Sequence, residues 1–292
     1  MPSIHSIAVI GATGMLGRPV TEELIRAGFQ VRVLARHPDS VRPLFPEAEV
    51  VRGDLADEKS LLAGLQGQDA VYLNLSIRQP EKETAFHTES DGLQNLLNAA
   101  RFAGIRRIGY LSSLVMRYQG MNGFHWWAFD VKQAAVRLIK ASGIPYSLFY
   151  PSSFMETIPF QQRLGNRILL VGKSPVKLYF IAAQDYGRQV ARAFQQAEEG
   201  KPQEYVIQGP EPITQDDAAR QFAAHYPKAR LKITTVPHWV VQAAGKLAQQ
   251  AHYGAHITEA LNKYPETFEA ERSWQELGKP ETTIREFARQ CP

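Results

Sequence analysis

The chain has 292 residues, of which 44% are hydrophobic and 21% charged, a composition typical of a globular protein with a sizeable core. Lys and Arg exceed Asp and Glu by only 33 to 29 and are scattered, so no basic stripe predicts a nucleic-acid partner. The one cysteine, Cys291, excludes a disulfide framework or a cysteine-rich metal site within one chain, and without a signal-like or membrane-spanning segment we expect a cytoplasmic protein.

The first predicted elements are a strand, a glycine-rich loop and a helix. Residues 7–10 (I-A-V-I) predict a strand buried on both faces of a parallel sheet. A G-x-x-G-x-x-G loop and a helical pattern ending at Gly28 follow. Glycines let a pyrophosphate approach the backbone N–H groups, and the helix N-terminus attracts the anion. We therefore predict a dinucleotide site, with a structural tight turn as the alternative, at Gly11, Thr13, Gly14, Met15, Leu16 and Gly17.

The second predicted strand, Gln30–Ala35, ends in Arg36, with no carboxylate before Asp39. An acidic residue at this place would accept hydrogen bonds from the adenosine ribose hydroxyls of NAD(H). A guanidinium instead pairs with a 2′-phosphate, so we expect NADP(H) to be preferred over NAD(H). The alternative is that Arg36 is a solvated loop residue.

Three more strands are predicted at residues 49–53, 70–75 and 107–111. Helical patterns at residues 58–65 and about 83–102 separate them. This alternation implies parallel βαβ units and a doubly wound α/β sheet. The ligand of such a sheet lies outside the carboxyl ends of its strands.

Polar residues follow these strands at the expected ligand-binding edge. Asp54, after the third strand, is expected to accept the adenine amino group or to cap the next helix. Ser76 ends the fourth strand, and Ser112 and Ser113 end the fifth. Ser113 is a candidate contact for substrate or nicotinamide, although a serine there is also a normal turn former.

Several segments together resemble the NmrA-like atypical short-chain dehydrogenase/reductases, which have a Rossmann fold. The resemblance covers residues 7–156 and rests on V-I-G-A-T-G-M-L-G-R, V-R-V-L-A-R-H-P, V-V-R-G-D-L, Y-L-S-S, the helix with D-V-K-Q-A-A-V-R-L-I-K, and P-S-S-F-M-E. It implies an NAD(P)-binding domain over residues 1–151 and a smaller α+β substrate lobe over residues 152–292. We expect a segment near 203–209 to return to the large sheet. The expected cofactor site also includes Leu55, Leu75, Pro151 and Phe154.

The catalytic pattern of the family is incomplete in this chain. Complete members use a Ser and a Tyr-x-x-x-Lys pair, in which the tyrosine exchanges a proton and the lysine holds the nicotinamide ribose. Lys132 matches the lysine, but Ala128 stands where the tyrosine would be, and no tyrosine in the chain has a lysine four residues later. This departure argues against ordinary carbonyl reduction and sugar epimerisation.

An aromatic segment, residues 124–129 (F-H-W-W-A-F), surrounds the position of the missing tyrosine. Trp126, Trp127 and Phe129 are expected either to line a pocket for a planar substrate or to pack in the core. His125 is a candidate proton donor near neutral pH, with a structural or exposed histidine as the alternative. His252 and His256 lack convincing metal-ligand spacing, so we predict no metal site.

Two functions are consistent with these patterns. The first is an NADP(H)-dependent oxidoreductase that transfers hydride to a small, planar or quinone-like acceptor in the cleft between the lobes, with Lys132, Ser113 and His125 as candidate catalytic residues. The second is a non-catalytic NAD(P)(H)-binding sensor that acts through a regulatory protein partner. Neither predicts a membrane partner.

Overall fold

A computed structural model describes residues 4–291 of the chain. The strands are β1 (Ser6–Ile10), β2 (Gln30–Ala35), β3 (Glu49–Arg52), β4 (Ala70–Leu73), β5 (Arg107–Leu111), β6 (Tyr146–Pro151), β7 (Arg163–Leu164), β8 (Arg167–Val171), β9 (Lys177–Leu178), β10 (Gln203–Ile207), β11 (Ile213–Thr214) and β12 (Lys232–Val236). The helices are α1 (Gly17–Arg26), α2 (Pro38–Val41), α3 (Glu58–Leu65), α4 (Asp91–Ala103), α5 (Trp127–Ala141), α6 (Thr157–Phe160), α7 (Ala183–Gln195), α8 (Gln215–His225), α9 (His238–Gly245), α10 (Gln249–Lys263), α11 (Glu271–Leu277) and α12 (Ile284–Gln290).

The large sheet has seven strands in the order β10-β6-β5-β4-β1-β2-β3, and all neighbouring strands are parallel. The chain proceeds outward from β1 to β3, then returns to β4 and proceeds outward on the other side. The loops after β1 and β4 therefore diverge, which opens a crevice at the carboxyl ends of these two strands. The predicted doubly wound parallel sheet is confirmed.

Helices cover both faces of this sheet. Ile7 and Val9 of β1 pack in the core shared with α1 and α7, whereas Ala8 and Ile10 pack in the core shared with α3, α4 and α5. Burial on both faces explains why β1 is a continuous apolar run and not an alternating one.

The smaller lobe has its own core, beneath the sheet β12-β8-β7 and the β11-β9 pair. This core joins Ile168 and Leu170 of β8 to Phe222 of α8 and Ile284 of α12. The chain returns to the large sheet between these elements, where β10 pairs with β6 and α7 packs on α1. The strand that joins the large sheet here, β10, lies within residues 203–209.

Two predicted elements have different bounds in the structure. The helix expected at residues 83–102 begins at Asp91, because residues 74–90 form an irregular loop held by a buried contact between His87 and Glu81. β4 ends at Leu73, two residues before the predicted end at residue 75, which leaves Asn74 at the sheet edge. No helix within residues 4–291 combines the length and apolar character needed to span a bilayer.

Candidate cofactor and substrate site

A cleft with a volume of about 1200 Å³ opens at the carboxyl ends of the parallel strands, where the strand order reverses. The smaller lobe forms its opposite wall. Ser113 lines the cleft, together with the predicted cofactor residues Gly11, Thr13, Gly14, Met15, Leu16, Arg36, Asp54, Leu55, Leu75, Ser76, Ser112, Lys132, Pro151 and Phe154.

The glycines let the loop pack closely against the end of β4 and against itself. Gly11 has φ +82°, and a Cβ atom there would lie 2.2 Å from the Asn74 carbonyl oxygen. A Cβ atom at Gly17 would lie 2.0 Å from the Gly11 carbonyl oxygen, so Gly17 lies beneath the loop and not along the cleft. No side chain caps α1 and its first turn has no acidic residue, so a pyrophosphate fits at this helix N-terminus.

Asn74 is a residue of this site that sequence reasoning missed. Its backbone N–H donates to Ile10 O at 3.0 Å, and its side-chain Nδ2 donates to Gly11 O at 3.4 Å. Its Oδ1 is buried without a partner among the described residues. The available signal was a polar residue at the end of an apolar run, but the prediction placed Asn74 inside the strand.

The opposite end of the cofactor wall is basic. Arg36 is exposed, lines the cleft and makes no ion pair or hydrogen bond with any residue in 4–291. Asp39, the next carboxylate along the chain, is paired with Arg42. The Arg36 guanidinium is thus available to an anionic group of a ligand.

The nearby carboxylate Asp54 is not a helix cap. Its Oδ1 accepts a hydrogen bond from Ala56 N at 3.0 Å within the loop that follows β3. The N-cap of α3 is Asp57, whose side chain accepts from Ser60 N at 3.2 Å. The capping alternative for Asp54 is therefore wrong.

Lys132 is held by a buried carboxylate. Its Nζ lies 2.6 Å from Glu89 Oε1 and donates to Leu111 O at 3.3 Å. The Glu89 side chain is 0% exposed, and its Oε2 has no partner among the described residues. The Tyr110 hydroxyl also donates to Glu89 Oε1, at 2.6 Å. Burial, reinforced by Glu89, raises the pKa of Tyr110 well above its usual value, so this phenol keeps its proton.

The prediction missed Glu89 because it lies in the irregular loop before α4, at a position assigned to a helix. A buried glutamate with a lysine partner fixes the lysine in one position, since separating the pair would leave a charge unpaired inside the protein. The Lys132 ammonium group therefore has a fixed position at the carboxyl ends of the strands of the large sheet.

The structure does not bring His125 to the cleft. Its side chain is 71% exposed, and its Nε2 lies 2.8 Å from Asp130 Oδ2. The segment turns away because the Gln119 side chain bonds to Trp126 N at 3.0 Å and to Asp130 Oδ1 at 2.8 Å. The His125 imidazole is therefore not placed to donate a proton within the cleft.

The aromatic segment packs in the core. Trp126 and Phe129 are buried, with ring centroids 5.0 Å apart, and Trp127 stacks on His87. None of the three lines the cleft, so the pocket-lining interpretation of these aromatics is wrong. Ala128 is also buried and brings no hydroxyl to the site.

The smaller lobe supplies a largely apolar wall that sequence reasoning did not identify. Its side chains come from β8, β9, the segment after β9, β12, α9 and α10, far apart in the chain, and include Leu169, Leu178, Phe180, Val236, Val241, Ile257 and Leu261. Polar groups on this side include Gln161, Gln162, Gln215, Tyr253 and Thr258. Among residues 4–291 no group of three or more His, Cys, Asp or Glu side chains is arranged to hold a metal ion.

Comparison with known proteins agrees with this geometry. A family described as NAD(P)H-binding matches residues 11–197. Over 222 residues the chain is 32% identical to the (4-alkanoyl-5-oxo-2,5-dihydrofuran-3-yl)methyl phosphate reductase of Streptomyces griseus subsp. griseus, covering 74% of this chain and 72% of that protein. Over 203 residues it is 28% identical to quinone oxidoreductase 2 of Escherichia coli (strain K12), covering 67% and 66% respectively.

Solved structures share the fold. The Citrobacter sp. triphenylmethane reductase complexed with NADP(H) aligns with a TM-score of 0.74 and 18% identity, over 98% of this chain and 100% of that chain. The resemblance to NmrA-like atypical short-chain dehydrogenase/reductases is confirmed. The chain belongs to the NAD(P)H-binding family of Rossmann-fold oxidoreductases.

Proposed function

We propose that this protein is an NADPH-dependent reductase that transfers a hydride to a small planar acceptor of the quinone or cationic-dye type. The observation that carries this proposal is the continuity of the cleft. It extends from the glycine loop and Arg36, past Lys132, to the apolar wall of the smaller lobe. A cofactor and an apolar acceptor thus have adjoining places in one cavity.

In the proposed reductase, each part of the cofactor wall binds a different part of NADPH. The glycine loop and the N-terminus of α1 bind the pyrophosphate, Arg36 pairs with the 2′-phosphate, and Asp54 accepts from the adenine amino group. Lys132 donates hydrogen bonds to the nicotinamide ribose while Glu89 holds its ammonium group in place. When bound, the cofactor supplies the hydride.

The other residues orient and shield the reacting groups. The backbone at Pro151 and Phe154 lies against the nicotinamide, and Ser113 contacts the nicotinamide or the acceptor. The apolar wall around Ile257 and Val236 excludes water from the acceptor. Orientation of donor and acceptor then accounts for much of the rate enhancement.

The relatives support both the cofactor and the class of acceptor. Quinone oxidoreductase 2 is named for quinone reduction, and the triphenylmethane reductase structure contains NADP(H). In this chain no acidic residue beside Arg36 is free to accept hydrogen bonds from the ribose hydroxyls of NADH, because Asp39 is paired with Arg42. This absence favours NADPH over NADH.

The test is oxidation of NADPH by the purified protein, followed by absorbance, with quinones, enones and cationic triphenylmethane dyes as acceptors. We expect turnover with at least one of these classes, and a higher kcat/KM with NADPH than with NADH. A protein that binds NADPH tightly but oxidises it with none of these acceptors contradicts the proposal.

A second candidate is a cofactor-binding regulator that acts through a protein partner. Ala128 favours it, because this alanine stands where complete members of the family carry the proton-transferring tyrosine. The regulator requires unequal affinities for NADPH and NADP+ without turnover. Equal affinities without turnover exclude both candidates.

A further inference from the structure

The phenol side chain of Tyr253 lines the cleft, but it comes from a helix outside the Ser and Tyr-x-x-x-Lys pattern of the family. It lies on α10 of the smaller lobe and lines the cleft together with Lys132 and Ile257. Its ring packs against Trp126 edge-to-face, with centroids 5.1 Å apart at 77°. Trp126 immediately precedes α5, the helix that carries Ala128 and Lys132. The Tyr253 side chain therefore lies beside α5, the helix that lacks the catalytic tyrosine of complete family members.

The Tyr253 hydroxyl differs from several phenols near the sheet, and Tyr118, whose hydroxyl also lacks a partner among the described residues, does not line the cleft. The hydroxyls of Tyr110, Tyr150, Tyr186 and Tyr205 are hydrogen-bonded to other side chains. The Tyr253 hydroxyl has no hydrogen-bond partner within residues 4–291. A polar group held in an apolar wall without a protein partner is available to a ligand that enters the cleft.

The surroundings of Tyr253 keep its hydroxyl protonated. Burial, and then the negative charge of Glu89, raise the pKa of Tyr253 to about 12. The phenol therefore carries its proton at neutral pH, as an ordinary tyrosine also does, and the raised pKa makes it a weaker acid than a solvated tyrosine. A donor suits the reducing direction, in which an acceptor oxygen gains negative charge.

We propose that Tyr253 is the general acid for carbonyl-type acceptors, which rests on the reductase function proposed above. The C–H bond at C4 of the reduced nicotinamide would break as its hydride bonds to the acceptor, and electrons of the acceptor's conjugated carbonyl system would move onto oxygen. The Tyr253 O–H bond breaks and its proton passes to that oxygen. A water molecule then returns a proton to the tyrosinate and leaves as hydroxide, so that each acceptor gains one hydride and one proton.

The test compares acceptors that differ in their need for a proton. A conjugated enone or a quinone requires one, whereas a cationic triphenylmethane dye becomes neutral on gaining hydride alone. Tyr253→Phe preserves the ring packing on Trp126. The matched control is Tyr146→Phe, which removes a hydroxyl that contacts Glu204 at 3.5 Å on the surface, outside the cleft.

We expect Tyr253→Phe to lower kcat/KM for the carbonyl acceptor about 100-fold, within the usual contribution of a general acid. The loss with the dye should be at least tenfold smaller, and the Tyr146→Phe protein should match the wild type with both. Equal losses with the two acceptors, or no loss with the carbonyl acceptor, overturn the assignment of Tyr253.

A wild-type protein that reduces neither acceptor contradicts the reductase function separately. In that case the binding of a quinone to the NADP+ complex, measured by quenching of tryptophan fluorescence, still tests Tyr253. Loss of one hydrogen bond should weaken quinone binding about three- to tenfold in Tyr253→Phe. Equal affinities of the wild-type and Tyr253→Phe proteins overturn the proposal.

Discussion

The two walls of the cleft differ in how the chain assembles them. The cofactor wall consists of residues that follow successive parallel strands, such as Gly11 after β1, Arg36 after β2 and Ser112 after β5. The acceptor wall draws Leu169 from β8 and Ile257 from α10, positions that share no sequence pattern. Topology therefore defines the cofactor wall, whereas tertiary packing of the smaller lobe defines the acceptor wall.

Because the two walls are assembled from different kinds of segments, we expect them to respond differently to substitution. Changes in the cofactor wall should alter cofactor affinity or choice, and changes in the acceptor wall should alter acceptor kinetics alone. Lys132, which lines the cleft, and its buried partner Glu89 should matter to stability as well.

The largest effect on stability is expected from Lys132→Met. It leaves the carboxylate of Glu89 buried without its cation, which should cost about 3–5 kcal/mol in the free energy of unfolding, measured with urea. The control is Lys140→Met, which breaks a half-exposed pair with Glu204 and should cost less than about 1 kcal/mol. Equal losses in the two variants would show that the Lys132 pair has no special structural role.

The next effect concerns the glycine loop. Gly11→Ala places a Cβ atom 2.2 Å from Asn74 O, and relieving this clash must displace the loop. We expect the Kd for NADPH to rise about 100-fold, or about 2.7 kcal/mol, in a fluorescence titration. The matched control is Gly28→Ala. Gly28 also has a positive φ, of +89°, but a Cβ atom there would have no neighbour within 4 Å. An unchanged NADPH affinity in Gly11→Ala would remove the glycine loop from the cofactor site.

A smaller, selective effect is expected at Arg36. Arg36→Asp should weaken NADPH binding about tenfold or more, since charge-assisted hydrogen bonds contribute about 1.5–3 kcal/mol, and should leave NADH binding equal or stronger. Arg137→Asp, on the outer side of α5, makes the same change in net charge outside the cleft. If the affinities for NADPH and NADH fall together in Arg36→Asp, the arginine does not select the 2′-phosphate.

The smallest effect is expected in the acceptor wall. Ile257→Ala removes apolar contact area and should raise the acceptor KM about fivefold, equivalent to about 1 kcal/mol, without changing the Kd for NADPH. Ile25→Ala on α1, which does not line the cleft, provides the matched truncation. A change in NADPH affinity in the Ile257 variant would argue that the two walls are not separable.

The same contrast explains what the sequence could predict. Strand, glycine loop and helix are local patterns, so the sheet and the positions of Gly11, Arg36 and Asp54 at its edge were predictable. Asn74 was missed because the predicted end of β4 was two residues late. Glu89 was missed because tertiary contacts that no local pattern reveals stabilise the loop before α4, namely Glu89 with Tyr110 and His87 with Trp127.

Residues that depend on how distant segments pack could not be placed from the sequence. His125 was a reasonable candidate by position, but the Gln119 side chain turns its segment away from the cleft. Tyr253 carries no motif, and only the docking of α10 against Trp126 brings it to the site.

The most direct test of the proposed reductase function uses NADPH with both hydrogens at C4 of the nicotinamide replaced by deuterium, and a cationic triphenylmethane dye as acceptor. The central carbon of the reduced dye does not exchange its hydrogen with water, so mass spectrometry reports the origin of the transferred hydride. If the protein transfers hydride directly, we expect one deuterium on that carbon for each NADPH oxidised. Reduced dye without deuterium would contradict the proposed hydride transfer, as would a protein that binds NADPH and reduces none of the dye, quinone and enone acceptors.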